Sequence, residues 1–266
     1  MTQGISCYES VHHGQSCIVV TTPTAEYRYQ HEAGGFSSLR DSSGTEWIGF
    51  KSGEAKAPQG AASIFRGIPN LVFPDNVGHP GHRGCTSSVQ SLEEAKVVIS
   101  TESKDRNWAW NWEITAERAA LDVTRVPADR SYWFLYEGTI AGTFSPRGCF
   151  WGTDTAGRRT DTPLLNGPDR RDPIHEPYRW VYFGRDSYDR VLFAINTTSR
   201  GDTSLYSYMS ADGQGLDGAD GMVVFGFGRG PGTQPLLKGL HSFVIGFLET
   251  TDHARIAERL IRYRSD

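Results

Sequence analysis

His79, His82 and Arg83 fall within five consecutive positions of the turn-rich stretch NVGHPGHRG (76–84), in a chain that holds only 8 histidines. Each residue type has its own chemistry. An imidazole gives or takes a proton near neutral pH. A guanidinium fixes an anion or an oxyanion in a bidentate grip. The H-x-x-H spacing could also chelate a metal ion, but such a site needs a third ligand. Nothing nearby in sequence supplies one, so no metal is expected. The loop reads best as acid/base or substrate-contact chemistry, with His79 and His82 as catalytic candidates and Arg83 as a substrate-binding one.

Other residues could join them. In FRGIPNLVFP (65–74), Arg66 and Asn70 flank a Gly-Ile-Pro step that leads into an apolar run, where polar side chains can point into a cleft. In YWFLYEGT (132–139), Tyr136 and Glu137 are adjacent strand residues on opposite faces, so only one of them faces a given cleft. Tyr136 is taken as the substrate-binding one. Glu249 ends the apolar run FVIGFLE (243–249); inside an apolar face its pKa would rise and it could act as a base. Arg229 in GFGRGPG (226–232) could reach a ligand, although no helix follows to make that stretch a phosphate loop. His175 and Glu176, in HEPYRW (175–180), close a polar stretch and could contribute to a rim. There is no G-x-S-x-G elbow and no serine that stands out as a nucleophile.

The elements that position these residues are mostly strands. SCIVVTT (16–22), AEYRYQH (25–31), AKVVIST (95–101), WAWNWEIT (108–115), ALDVTRV (120–126) and YWFLYEG (132–138) are β-branched or aromatic runs bounded by turn formers. So are RWVYFG (179–184), RVLFAINTT (190–198), GMVVFGFG (221–228) and SFVIGFLET (242–250). Trp108, Trp110, Trp112 and Ile114 share one face of their strand by strict alternation. Strands this short, repeated along the whole chain, predict antiparallel sheets packed face to face. One helix is predicted at the C-terminus, where Ala254, Ile256, Ala257, Leu260 and Ile261 recur at helical spacing. Thr251 or Asp252 can cap its start and arginines crowd its end. The polar stretches 153–178 and 199–220 exceed usual connection lengths and read as rims or lids.

Composition narrows the classes. With 266 residues and no linker, repeat or compositional break, the chain reads as a single domain over 1–266. A net charge of −4 and a pI near 6.1 call for neither nucleic acid nor an anionic membrane as partner. No run approaches the ~20 apolar residues of a membrane span. Cys7, Cys17, Cys85 and Cys149 form no C-x-x-C pair and are expected as free thiols, although Cys7 and Cys17 could bridge in an oxidising compartment. The first twenty residues lack a charged start followed by an apolar block, so the expected location is cytoplasmic, or secreted or periplasmic if a leader has been removed.

Three blocks resemble galactose mutarotase-like proteins. GGFSSLRDSSGTEWIGF (34–50) is similar to their early strand pair, and FRGIPNLVFPDNVGHPGHRG (65–84) to the Gly-Ile-Pro strand and His-Gly loop that follow. FVIGFLET (243–250) is similar to the late strand that supplies a glutamate. The resemblance implies an all-β fold, an antiparallel β-supersandwich with a concave carbohydrate-binding face. Here that fold is joined to the C-terminal helix read above. In the epimerase members a glutamate is the base and a histidine the acid. Carried over, Glu249 becomes the base, His79 or His82 the acid and Arg66 the binding arginine. His175 is the only candidate for a second histidine that many epimerase members carry mid-chain. No cofactor is implied.

Three functions are then compatible with the residues. A sugar mutarotase or epimerase needs a carboxylate and a histidine across a small pocket. A lyase acting on a uronate-containing glycan needs a cation for the substrate carboxylate and a base for the C5 proton. A non-catalytic carbohydrate-binding module needs aromatic platforms. The His/Arg loop favours an enzyme, and the late glutamate favours the epimerase. The expected partner is a mono- or oligosaccharide; oligomeric state is open.

Overall fold

The computed structural model describes residues 4–49, 66–142, 144–160, 169–198, 202–209 and 221–265. In chain order the strands are β1 (Ser6–His12), β2 (Gln15–Thr21), β3 (Ala25–Gln30), β4 (Gly35–Asp41), β5 (Gly67–Asn70) and β6 (Cys85–Leu92). Next come β7 (Lys96–Ser103), β8 (Ala109–Thr115), β9 (Arg118–Arg125), β10 (Phe134–Gly138), β11 (Cys149–Thr153) and β12 (Gly157–Thr160). The last are β13 (Asp169–Tyr178), β14 (Trp180–Arg185), β15 (Val191–Asn196), β16 (Asp202–Met209), β17 (Met222–Phe227) and β18 (Ser242–Leu248), followed by α1 (His253–Ser265).

These strands form two antiparallel sheets. The first runs β1-β2-β3-β4-β5-β10-β17-β16-β13 and the second β12-β11-β14-β15-β18-β9-β8-β7-β6. All ten strand runs read from the sequence are present. The polar stretches 153–178 and 199–220 need correction. Within their described parts, β12, β13 and β16 are strands rather than loops. β12 and β13 lie at sheet edges, where charged residues and proline are tolerated because one row of backbone groups faces no partner.

The core lies between the sheets and is aromatic. Trp110, Trp112 and Ile114 are fully buried, while their alternating neighbours Ala109, Asn111 and Glu113 are half-buried. Phe36 of the first sheet meets Trp112 of the second edge-on at 4.7 Å, and Phe134 stacks on Phe243 at 4.3 Å. Each such side chain removed from water contributes about 1.5–3 kcal/mol. Pairing geometry adds about 0.5–1.5 kcal/mol where rings stack or meet edge-on. The four cysteines are free thiols. Cys7 pairs with Val20 and Cys17 with Ser10 across the β1–β2 ladder, so the two cysteines do not face each other.

The two outer faces have different fates. Helix α1 covers part of the second sheet. Asp252 caps it by accepting a hydrogen bond from the Arg255 amide at 2.9 Å, and Ile256 and Leu260 are buried against Trp180, Tyr182 and Phe193. Ile261, expected on the same stripe, points to solvent. The first sheet's outer face carries a small apolar floor of Trp133, Leu135, Met222 and Val224 with Phe73 packed against it. Among the described residues no helix is long and apolar enough to cross a membrane.

Candidate active site

The site grows from alternation along β10. Phe134 and Tyr136 turn into the core between the sheets, and Trp133, Leu135 and Glu137 turn the other way, onto the outer face. This reverses the expected assignment of Tyr136. Its ring packs on Phe225 and its hydroxyl donates to the Trp47 carbonyl, so it is a core residue. Burial holds its pKa well above the ordinary value. The polar group of this strand on the outer face is Glu137.

The histidine loop is laid onto that face by packing. Pro80 sits against Gly35 and Gly67; a Cβ on Gly67 would come within 2.1 Å of the Pro80 ring, so only glycine admits the loop at this distance. The His82 amide donates to the His79 carbonyl at 3.2 Å and tightens the turn. His79 is thereby fully buried, with Nε2 at 3.0 Å from Glu137 Oε2. The other carboxylate oxygen, Oε1, accepts from Asn70 Nδ2 at 2.7 Å. Asn70 Oδ1 in turn accepts from the Trp133 indole Nε1 at 3.0 Å. His79 Nδ1 and His82 Nε2 are buried ring nitrogens with no hydrogen-bond partner among the described residues. The two rings stand edge to face, 5.3 Å apart.

This arrangement resembles the base-orienting half of a catalytic triad. A carboxylate on one imidazole nitrogen fixes the ring and stabilises the imidazolium, and the other nitrogen is left to exchange protons. His82 plays a different part. Burial, then the nearby His79, lowers its pKa to about 4 against the opposing pull of Glu137, so it is neutral at physiological pH. Burial, reinforced by His13, likewise lowers His12 to about 4. Both ordinary values are 6.5. Between those limits the unfolded chain binds protons that the folded chain refuses, so stability falls as pH drops through that window. We expect the melting temperature to decline from about pH 6.5 to about pH 4. His82→Gln should make that decline shallower in a calorimetric pH series; an unchanged slope would show that His82 protonates freely in the fold.

Arg66 is buried next to Gly49, close enough to Tyr136 to oppose the rise in its pKa. Arg229 is buried, and its Nη1 donates to Ser207 Oγ at 2.5 Å. Ser207 pairs with Val224, which pairs with Glu137, so this contact lies in the same row of the first sheet, two strands or roughly 10 Å from Glu137. Arg83 is exposed and makes a 3.5 Å ion pair with exposed Glu32, worth about 0–1 kcal/mol. His175 lies on β13, but its side chain is outside the described residues. Glu249 is not with the histidines. Its side chain is 70% exposed, accepts from Ser42 Oγ at 3.0 Å and lies 3.8 Å from Arg190. It follows β18 of the second sheet, and the carboxylate that meets His79 is that of Glu137. Among the described residues no group of three His, Cys, Asp or Glu is placed to hold a metal ion.

Solved structures share this architecture. The crystal structure of HI1317 superposes with a TM-score of 0.60, at 10% identity, over 91% of this chain and 96% of that one. YeaD from Salmonella typhimurium, described as a candidate mutarotase, gives 0.57 at 11% identity, over 91% of this chain and 94% of that one. The fold is mutarotase-like. No family model matches the chain, and no curated protein matches its sequence. Within this mutarotase-like fold the buried His79–Glu137 pair belongs to the first sheet and to the loop packed on it.

Proposed function

We propose that the protein is a carbohydrate-active enzyme of the mutarotase or epimerase type, in which His79 moves the proton and Glu137 supports it. The observation that carries this reading is the buried imidazole held at Nε2 by a carboxylate, with Nδ1 unpartnered. Mutarotation needs little more. Nδ1 takes the proton of the C1 hydroxyl as the bond between C1 and the ring oxygen breaks, giving the open aldehyde. The imidazolium returns that proton to the former ring oxygen. Both oxygens started on one carbon, so a single ring nitrogen reaches each in turn. Rotation about C1–C2 and the reverse steps close the ring on the other face. Glu137 stabilises the imidazolium between the two transfers. Neutral His82 offers a hydrogen bond without competing for the proton. Arg66 and Arg229 remain proposed sugar-binding groups, and Asn70 holds Glu137 in place.

A panel of free aldoses and uronate-bearing oligosaccharides tests the reading. Polarimetry, or exchange between anomeric proton signals, should show faster interconversion of at least one free sugar. New ultraviolet absorbance on a uronate oligosaccharide, with no effect on any free sugar, would replace this reading with β-elimination. Saturable binding without turnover would replace it with a binding module.

A further inference from the structure

We infer that Trp133 and Asn70 are positioning residues that set the orientation and tautomer of His79, an inference that rests on His79 being the proton-transfer group. The relay begins with the indole of Trp133. Its N–H is a donor only, so the Asn70 atom 3.0 Å away must be the carbonyl oxygen. That fixes the amide, which then has to present its NH₂ to Glu137 Oε1 at 2.7 Å. A carboxylate receiving an N–H is favoured in its ionised, acceptor form. Its second oxygen therefore accepts from His79 Nε2 at 3.0 Å, and Nδ1 is left as the lone-pair nitrogen of the neutral ring. One indole proton thus decides the direction of every bond in the relay.

The relay is rigid as well as directional. Trp133 is buried and stacks on Phe73 at 5.1 Å with the planes 23° apart. Asn70 and Glu137 are held on the neighbouring strands β5 and β10. The titratable groups seen against His79 are Glu137 from β10 and His82 from its own loop. Without the indole N–H the amide is free to rotate and turn its oxygen toward the carboxylate. The direction of the Glu137–His79 bond is then no longer imposed, and the second tautomer of His79 becomes accessible.

The test is Trp133→Phe, which keeps an aromatic ring on Phe73 and removes only the indole and its N–H. Imidazole ¹⁵N signals of histidine-labelled protein, assigned with His79→Gln, report the tautomer directly. In the parent the neutral ring should be the Nε2–H form. In Trp133→Phe the second tautomer should appear beside it, turnover should fall roughly tenfold, and KM should hold. Asn70→Ala should move the same readouts in the same direction, and it carries the test if Trp133→Phe does not fold. An unchanged tautomer in a folded variant would overturn the inference. If the tautomer changes but the parent accelerates no sugar, the relay stands and the proton-transfer reading fails. If activity needs His79 while the tautomer stays fixed, the reverse holds.

Discussion

His79→Gln is expected to reduce turnover on whichever sugar the parent interconverts by 10²–10⁴-fold, the usual loss when a general acid or base is removed. KM should change far less, because the imidazole acts on a proton that moves only in the transition state. Glu137→Gln should cost a similar amount by a different route. A carboxamide can present its N–H to His79 Nε2 and hold the proton on Nδ1, which takes away the lone pair that receives the substrate proton. It also removes the negative charge that stabilises the imidazolium. Initial rates by polarimetry, with circular dichroism to confirm folding, measure both effects. Parental turnover in both folded variants would make this buried pair a structural one. Glu249→Gln is the comparison: as an exposed group on Ser42 and Arg190, it should leave turnover close to parental.

Gly226→Ala is expected to be the most destabilising small substitution in the first sheet. Gly226 has φ of 151°, in a region that side chains avoid. A Cβ there would lie 2.0 Å from the Phe134 carbonyl oxygen and 3.0 Å from the Leu135 Cα. Both are backbone atoms of β10 and cannot swing aside. Backbone strain alone costs about 1–3 kcal/mol, and the collision adds to it. A loss of about 3 kcal/mol would lower the melting temperature by roughly 6–12 °C in a chain of this size. The neighbouring strand also carries Glu137, so activity should fall along with stability. Gly84→Ala is the control: nothing lies within 4 Å of its Cβ position, and its melting temperature should stay near the parent's. Equal melting temperatures for the two variants would mean that β10 and β17 are less closely paired than described here.

The fold was largely legible because burial on one sheet face writes a period of two into the sequence. The run from Trp108 to Ile114 is the clearest case, and the C-terminal helix declared itself by its cap and its apolar spacing. β13 was hidden by two prolines and five charged residues, which an edge strand tolerates and an interior strand would not. The candidate site was legible in part. The turn-rich loop pointed to His79 and His82, and the Gly-Ile-Pro step pointed to Asn70. Glu137 was visible as one of two alternatives with Tyr136, and alternation could not choose between them. Trp133, Phe134, Leu135 and Tyr136 are all buried, two on each face, so β10 has no polar side to mark which way a cleft lies. Glu249 misled because an acid at the end of an apolar strand has the same sequence signature whether it turns inward or out to solvent.

The relay's three hydrogen bonds have a further consequence for how the site comes into being. They join residues 58, 67 and 63 positions apart, and each ties the 70–79 segment to the 133–137 segment. They therefore close one and the same chain loop. Loop closure is an entropic cost that falls on the first contact to form, and later contacts across the same loop are nearly exempt. Inside that loop lie β6, β7, β8 and β9, a run of hairpins whose strands pair with their sequence neighbours. Those local hairpins can zip first and shorten the effective loop before its ends meet. The histidine, the carboxylate and their supports then arrive together, with the hydrogen-bonded relay assembled in one cooperative step.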